Sequence, residues 1–516
     1  MSQPNRPGRP SPPAGARAPA RTFPLPALVA RPGYAWLVVG TVCIGAFMAA
    51  LDASIVTIAL PTVADSFHVG LNLAAWVTIA YLLTLTALVV TFGRLADMFS
   101  RRTIYTAGFS VFIVGSALSG AAPVFGFLLG ARVLQAIGAG MLQANSVAIV
   151  TAAAPPGQRG RAIGLQAAAQ AIGLALGPTI GGLLVGFLGW RAIFYVNVPV
   201  GILGTLAGIC LLPDDRRERA EQPAATATKS GFDLGGAALL AVALLGMMFG
   251  LTQGYKIGWL SPSVLAGFGV AVVGLIALVL VERGARFPLV QPALLKVPIF
   301  VWGNLTGLLT YAAMFGVLFL MPFEFERAFR LSPALSGILI TAVPLAMMLS
   351  SPLGGILADR YGAHKLTVAG AILMEVGLVA LALVGGLGSP YLLLVPLAVV
   401  GVGMGLFTPP NNSSVMGSAP PAFLGTAGGV LNMARSLGMS IGSAVAATLY
   451  ASFLLVYAGN EHSLATPSNL AACRDALIGF ALLTAVTVAV SVVKGDPGEP
   501  QAGAPAGERS LFVGEV

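Results

Sequence analysis

Apolar runs of about 18 residues or more recur from one end of this chain to the other, and each is long enough to cross a ~30 Å hydrocarbon core as a helix. In lipid the backbone polar groups of a spanning segment must be satisfied internally, which a helix does within a single run. Only 9% of the residues are charged and 57% are hydrophobic, whereas a soluble domain carries roughly 25% charged residues. A soluble fold of 516 residues would have nowhere to hide so much apolar surface. We count about fourteen spans, with cores that include 35–60, 161–187, 299–322, 425–457 and 475–493. The expected class is an all-α polytopic membrane protein.

The two halves share a grammar. Gly93-Arg94-Leu95-Ala96-Asp97 returns as Gly355-Ile356-Leu357-Ala358-Asp359, each copy at the end of an apolar run. Gly160, Gly164, Gly173 and Gly177 line up with Gly425, Gly429, Gly438 and Gly442 at nearly the same offset. Duplication of a lipid-soluble unit predicts two pseudo-symmetric bundles around a central path. The expected organisation is a disordered arm over 1–33, a six-helix bundle over 34–212, a linker over 213–233, two inserted helices with their loop over 234–297, a second six-helix bundle over 298–494 and a tail over 495–516. The formal net charge of +9 does not point to nucleic acid, because the charges are distributed by topology. With both termini placed in the cytoplasm, roughly 21 of the 28 Lys and Arg fall in cytoplasmic segments and about five outside. The three cysteines, Cys43, Cys210 and Cys473, are scattered, with no metal-ligand spacing.

Charges inside spans cost several kcal/mol unless paired or wetted, and four stand out: Asp52, Arg132, Glu375 and Arg435. Asp52 and Arg132 lie at matching depth, roughly 14 and 12 Å from the outer ends of their helices. Their repeat mates are Ala313 and Leu397, so the duplicated scaffold does not require either charge. A pair of this kind, in a wet cavity at the cleft between the lobes, can couple proton uptake to substrate or conformation. Glu375 and Arg435 lie at similar depth from the inner ends of their helices and can pair with each other or serve separate roles.

The doubled phrase falls in short turns. Gly93 and Gly355 permit close helix contact, and Asp97 and Asp359 can cap a helix N-terminus or pair with Arg101, Arg102, Arg360 or Lys365. In span 5, Gly173 and Gly177 give a flat face for a partner helix, Pro178 bends the span, and Gly181 and Gly182 extend the pattern. Ser443 replaces the proline in the second half. Gln135, Gln143, Asn145, Gln166, Gln170, Asn304, Tyr311, Asn411, Asn412 and Asn432 are candidates to line a cavity, with interhelical hydrogen bonding as the alternative.

These residues resemble the major facilitator superfamily, in its fourteen-helix drug:proton antiporter branch. The first-half phrase is similar to the superfamily's loop 2–3 signature, Arg132 to Gly140 to the Arg-bearing helix 4 motif, and Gly173 to Gly182 to the exporter-associated helix 5 motif. Leu51 to Pro61 and Gly189 to Pro199 resemble segments of the fourteen-helix branch. Met98 and Ser100 depart from the usual Arg and Gly of the loop signature, while the second copy keeps Arg360 and Gly362. The resemblance implies a major facilitator fold and efflux of small lipophilic compounds by alternating access. Inward proton flow would drive it, with Asp52 and Arg132 in proton or substrate handling. The alternative is a dedicated exporter of one metabolite, lipid or sugar derivative. The implied partners are a small-molecule substrate, protons and the lipid bilayer of a bacterial plasma membrane, with the chain a monomer. No phosphate loop, metal cluster or activated nucleophile is visible, so a secondary transporter without metal or cofactor is expected rather than an enzyme.

Overall fold

The computed structural model describes residues 31, 33–69, 71–74, 76–213, 233–284, 288, 291–385, 389–458 and 466–493. Almost all of the arm and the linker, and the whole of the tail, named above lie outside the described residues. Thirteen helices are long and apolar enough to cross a membrane, and a bent pair makes fourteen. They are α1 (Tyr34–Phe67), α2 (Trp76–Met98), α3 (Arg101–Gly120), α4 (Phe125–Ala153), α5 (Arg159–Leu188), α6 (Asn197–Leu211), α7 (Leu234–Ile257), α8 (Pro262–Gly284), α9 (Pro298–Phe323), α10 (Ala342–Tyr361), α11 (Ala363–Val384), α12 (Leu394–Gly417), α13 (Leu424–Ala458) and α14 (Thr466–Val493). No strand occurs among the described residues.

Packing follows the repeat. The neighbours α1–α5, α2–α4, α3–α4 and α3–α6 reappear as α9–α13, α10–α12, α11–α12 and α11–α14. The two halves meet through α5 on α10 and α2 on α13, and these contacts are themselves exchanged by the repeat. That is the signature of a parallel pseudo-twofold axis running along the bundle. The inserted α7 packs on α2 and α13, so it straddles the junction between the halves. Trp259, in the turn after α7, donates to Thr448 Oγ1 of α13 at 2.9 Å. Much of α8 faces outward, with Val273, Leu280 and Ile276 more than half exposed, as a lipid-facing helix requires.

Local chemistry explains the bends. Residues Arg159–Gly177 and Thr179–Leu188 of α5 are inclined by 42°, because Pro178 cannot donate the ladder bond to residue 174. Its repeat mate α13 has Ser443 there and runs unbroken from Leu424 to Ala458. Pro322 near the end of α9 is followed by a single π turn, Glu324–Ala328, where the helical ladder is re-registered.

Candidate functional site

Inside the first bundle, α1 carries Asp52 and α4 carries Arg132, both with side chains at 0% exposure. Arg132 Nη1 donates to Asp52 Oδ2 at 2.8 Å. Gln135, three residues on and therefore on the same helix face, donates from Nε2 to Asp52 Oδ1 at 2.8 Å. Asn197, at the start of α6, donates to the same oxygen at 3.1 Å. Arg132 also donates to Gln135 Oε1 at 2.7 Å and from Nε to Val77 O at 3.1 Å. Ser116 of α3 accepts from Gln135 and Asn197, both at 3.1 Å, and donates to Phe194 O at 2.8 Å. The Arg132 guanidinium lies between two rings, 4.3 Å from that of Tyr81 and 5.6 Å from that of Phe194. Such stacking suits a planar, weakly hydrated cation. The absence of a side chain at Gly115 brings α3 close: a Cβ there would sit 2.6 Å from the Cα of Gln135.

The carboxylate is thus neutralised by one cation and held by two amides, which is what makes a buried charge tolerable. Arg132 Nη2, Asn197 Oδ1 and the Tyr81 hydroxyl have no hydrogen-bond partner among the described residues, so the network has unfilled capacity around the pair. One expectation needs correcting. Asp52 does not face acyl chains, but neither does it face the cleft between the bundles. Among the described residues, every hydrogen-bond donor to it belongs to α4 or α6 of the first bundle. The repeat mates of Asp52 and Arg132, Ala313 and Leu397, are fully buried and apolar, so the second bundle fills the equivalent space with hydrocarbon.

The doubled phrase forms a reciprocal seam between the bundles. Asp97, at the end of α2, accepts from the backbone N–H of Gly425 at 2.8 Å and of Thr426 at 2.7 Å, and from Thr426 Oγ1 at 2.9 Å. Asp359, at the end of α10, accepts from Gly160 N at 2.8 Å and Arg161 N at 2.9 Å. Each carboxylate therefore caps the first turn of a helix in the opposite bundle, where free N–H groups and the helix dipole favour an anion. Gly93 packs against the Gly425 backbone and Gly355 against that of Gly160; a Cβ at any of the four would strike main chain. The departures at Met98 and Ser100 do not disturb this geometry, and Ser100 instead caps α3 by accepting from Thr103 N at 3.4 Å. Arg101 pairs with Asp97 at 3.2 Å and donates to Pro421 O at 2.6 Å. Arg102 bonds Ile209 O at 2.7 Å within its own bundle. The Arg360 guanidinium lies 5.3 Å from the Tyr361 ring and, among the described residues, has no ion pair. Asp97 is buried and Asp359 exposed. The cap at Asp97 should therefore contribute more: Asp97→Asn is expected to cost about 1–3 kcal/mol and to lower the melting temperature further than Asp359→Asn. Equal melting temperatures for the two variants would contradict this asymmetry.

Above the seam the glycine contacts change partner. Gly164 meets Ser351 of α10, and Gly428 and Gly429 meet Ala144 and Val89, all across the bundles. Farther along the same two helices, Gly173 and Gly177 meet α1, while Gly438 and Gly442 meet α9, each within its own bundle. Ser54 Oγ lies 3.3 Å from Gly173 O. Gly181 packs on Ile55, but Gly182 has open space around it and takes no part in this face. Arg435 sits at the crossover. Its Nη1 donates to Gln170 Oε1 at 2.9 Å and its Nη2 to Gln143 Oε1 at 2.5 Å, both from the opposite bundle. The Tyr311 ring lies 5.8 Å from its Cζ. Asn432 donates across to Gln143 O at 2.8 Å.

Arg435 does not pair with Glu375. The latter is on α11, which packs on α12 and α14 at the periphery, and its Oε2 has no hydrogen-bond partner among the described residues. Of the other polar candidates, Gln135 belongs to the Asp52 network and Gln166 bonds Ser146 Oγ at 2.9 Å. Asn145 and Asn304 bond carbonyls of their own helices, those of Met141 and Phe300. Asn411 ties α12 to Gly303 of α9 at 2.9 Å. These are interhelical or intrahelical bonds rather than open cavity wall. Sequence reasoning missed Asn197, Ser116, Tyr81 and Thr426 as participants. A lone amide such as Asn197 in an apolar run was a usable signal, because it needs a partner in lipid. Glu324, also missed, is 1% exposed in the π turn with Oε2 unpartnered.

Residues 42–443 match the family model of the Major Facilitator Superfamily. The chain is 34% identical over 421 residues to the riboflavin transporter RibZ of Clostridioides difficile, covering 81% of this chain and 89% of that one. It is equally identical over 412 residues to the multidrug resistance protein Stp of Mycobacterium tuberculosis, with 80% and 75% covered. Among solved structures, the human organic anion transporter MFSD10 (TETRAN) superposes with a TM-score of 0.65 at 16% identity, over 89% of this chain and all of that one, which speaks for the fold. With fourteen spans, two exchanged bundles and a family match over most of its length, this chain belongs to the major facilitator superfamily of membrane transporters.

Proposed function

We propose that the chain exports small lipophilic compounds in exchange for protons by alternating access, with both termini in the cytoplasm. The observation that carries the reading is the Asp52–Arg132 pair, walled inside one bundle at 2.8 Å where the duplicated scaffold needs no charge. Both Asp52 oxygens accept bonds from donors. A proton arriving on either oxygen turns an acceptor into a donor facing a donor, so Arg132, Gln135 or Asn197 must move. Arg132 then loses its counter-charge in a low-dielectric setting, which is a large energetic change for one proton.

The seam is how that change would reach the rest of the molecule. Asp52 is on α1, α1 packs on Gly173 and Gly177 of α5, and α5 begins at the Asp359 cap. One helix thus links the proton site to a bundle-spanning contact. In this reading the closed seam lies on the cytoplasmic side and the described state opens outward. Proton uptake at Asp52 would loosen the first bundle and favour separation at the seam, and release would favour closure.

The test is purified protein in liposomes with an imposed pH gradient and a panel of dyes differing in charge. Gradient-driven accumulation that collapses when nigericin dissipates the gradient is expected. Accumulation indifferent to the gradient would refute proton coupling. The likeness to a protein named for riboflavin transport favours a second reading, a carrier dedicated to one compound. Transport of a single dye class out of many unrelated ones would select it.

A further inference from the structure

The crossover layer between the bundles presents hydrogen-bond donors and a positive charge with no acid to balance it. Arg435 is an intramembrane cation that bridges the bundles. The ion pairs Arg101–Asp97, Arg132–Asp52 and Arg474–Asp475 leave it out, and among the described residues its hydrogen bonds are to neutral amide oxygens of Gln143 and Gln170. A guanidinium can only donate. Both glutamines must therefore turn their oxygens toward it, which leaves each amide with its N–H₂ end uncommitted; neither Nε2 has a hydrogen-bonded partner among the described residues. Arg435 Nε is buried without a partner as well. The layer thus holds free donors and a charge, and Tyr311 adds an aromatic ring beside the guanidinium.

The layer is also where a ligand could stand. On the seam side, Asn432, Ala144, Gly428 and Gly429 are fully buried between the bundles, whereas Arg435, Gln143 and Gln170 are only half-buried. Their exposure begins where the glycine contacts switch from the opposite bundle to the same bundle.

Resting on the transport reading above, we propose that Arg435, Gln143 and Gln170, with the buried Tyr311 backing the guanidinium, form the floor of the substrate site, and that its ligand is a compound bearing an anionic oxygen. The anion meets the guanidinium and the amide N–H groups. A cationic drug would face an unbalanced like charge with no carboxylate to receive it. The two glutamines also give the site a means of release. In the closed-seam state they occupy the two Arg435 nitrogens that a carboxylate or phenolate would use, so closure of the seam displaces the anion toward the open side.

Fluorescein and rhodamine 123 share a xanthene frame and differ in charge, so their binding to the full chain in nanodiscs, read by fluorescence anisotropy against empty discs, isolates the charge preference. Wild-type protein is expected to bind fluorescein at least about tenfold more tightly than rhodamine 123. Arg435→Gln should weaken fluorescein by about tenfold while rhodamine 123 binding holds or tightens, and Arg435→Lys should keep the anionic preference. Equal binding of the two dyes by wild type, no binding of fluorescein, or an equal loss of both in Arg435→Gln would overturn the proposal; the last result would make Arg435 only a brace between bundles. Because binding is read without a gradient, an anionic preference found in a protein that moves no dye would leave this site standing and remove the export reading instead.

Discussion

Arg132→Ala is expected to abolish transport while the chain still inserts in the membrane. The guanidinium gives Asp52 its counter-charge at 2.8 Å, bonds Gln135 and Val77, and fills the space between the Tyr81 and Phe194 rings. Removing it leaves a carboxylate at 0% exposure with two amide donors and no cation. Breaking one side of a buried pair costs about 3–5 kcal/mol, which corresponds to a loss of roughly two to four orders of magnitude in an equilibrium that depends on it. The protein should melt well below wild type, and gradient-driven dye movement in liposomes should fall at least about a hundredfold. The double variant Asp52→Asn/Arg132→Met separates stability from function. It removes both charges, so the melting temperature should recover much of the loss, yet transport should stay absent because no group remains to exchange a proton. Normal export by Arg132→Ala, or proton-dependent export by the double variant, would take the pair out of the mechanism.

Gly355→Leu should jam the seam open. A side chain at this position meets the backbone of Gly160 and Arg161, and backbone cannot yield as a flexible side chain can. Overpacking of this kind costs about 1–3 kcal/mol, enough to shift a two-state population by roughly five- to a hundredfold. Gly355 belongs to the α5–α10 contact. If the bundles move as rigid bodies, the α2–α13 contact must open with it, although no residue there has changed. Spin labels on Phe99→Cys and Ala422→Cys, which flank that second contact, read this directly. Their distance distribution should move to longer values in Gly355→Leu, and transport should drop at least about tenfold. An unmoved distribution with normal transport would show that the two seams are independent or that the reciprocal glycines are only packing.

Much of the architecture was legible as chain chemistry. Helices must satisfy their own backbone in lipid, so long apolar runs announced their number and type, and the doubled Gly-x-Leu-Ala-Asp phrase announced the repeat. Pro178 announced the bend in α5, because loss of one N–H is a local event. Asp52 and Arg132 announced themselves by cost, since a charge in an apolar run needs a reason.

What the chain chemistry could not supply was azimuth, the direction each helix face points once neighbours close in. Depth along a helix follows from counting residues at 1.5 Å each, and depth alone made Glu375 and Arg435 look like partners. Packing sends α11 to the rim and α13 to the junction, so the acid stays on a peripheral helix and the arginine reaches across to two glutamines. The same limit applies to Asp52, whose depth was readable but whose enclosure by α1–α6 was not. The caps at Gly425 and Gly160 are a tertiary decision as well, because an aspartate can serve any nearby helix end, and only the docking of two bundles determines which end that is.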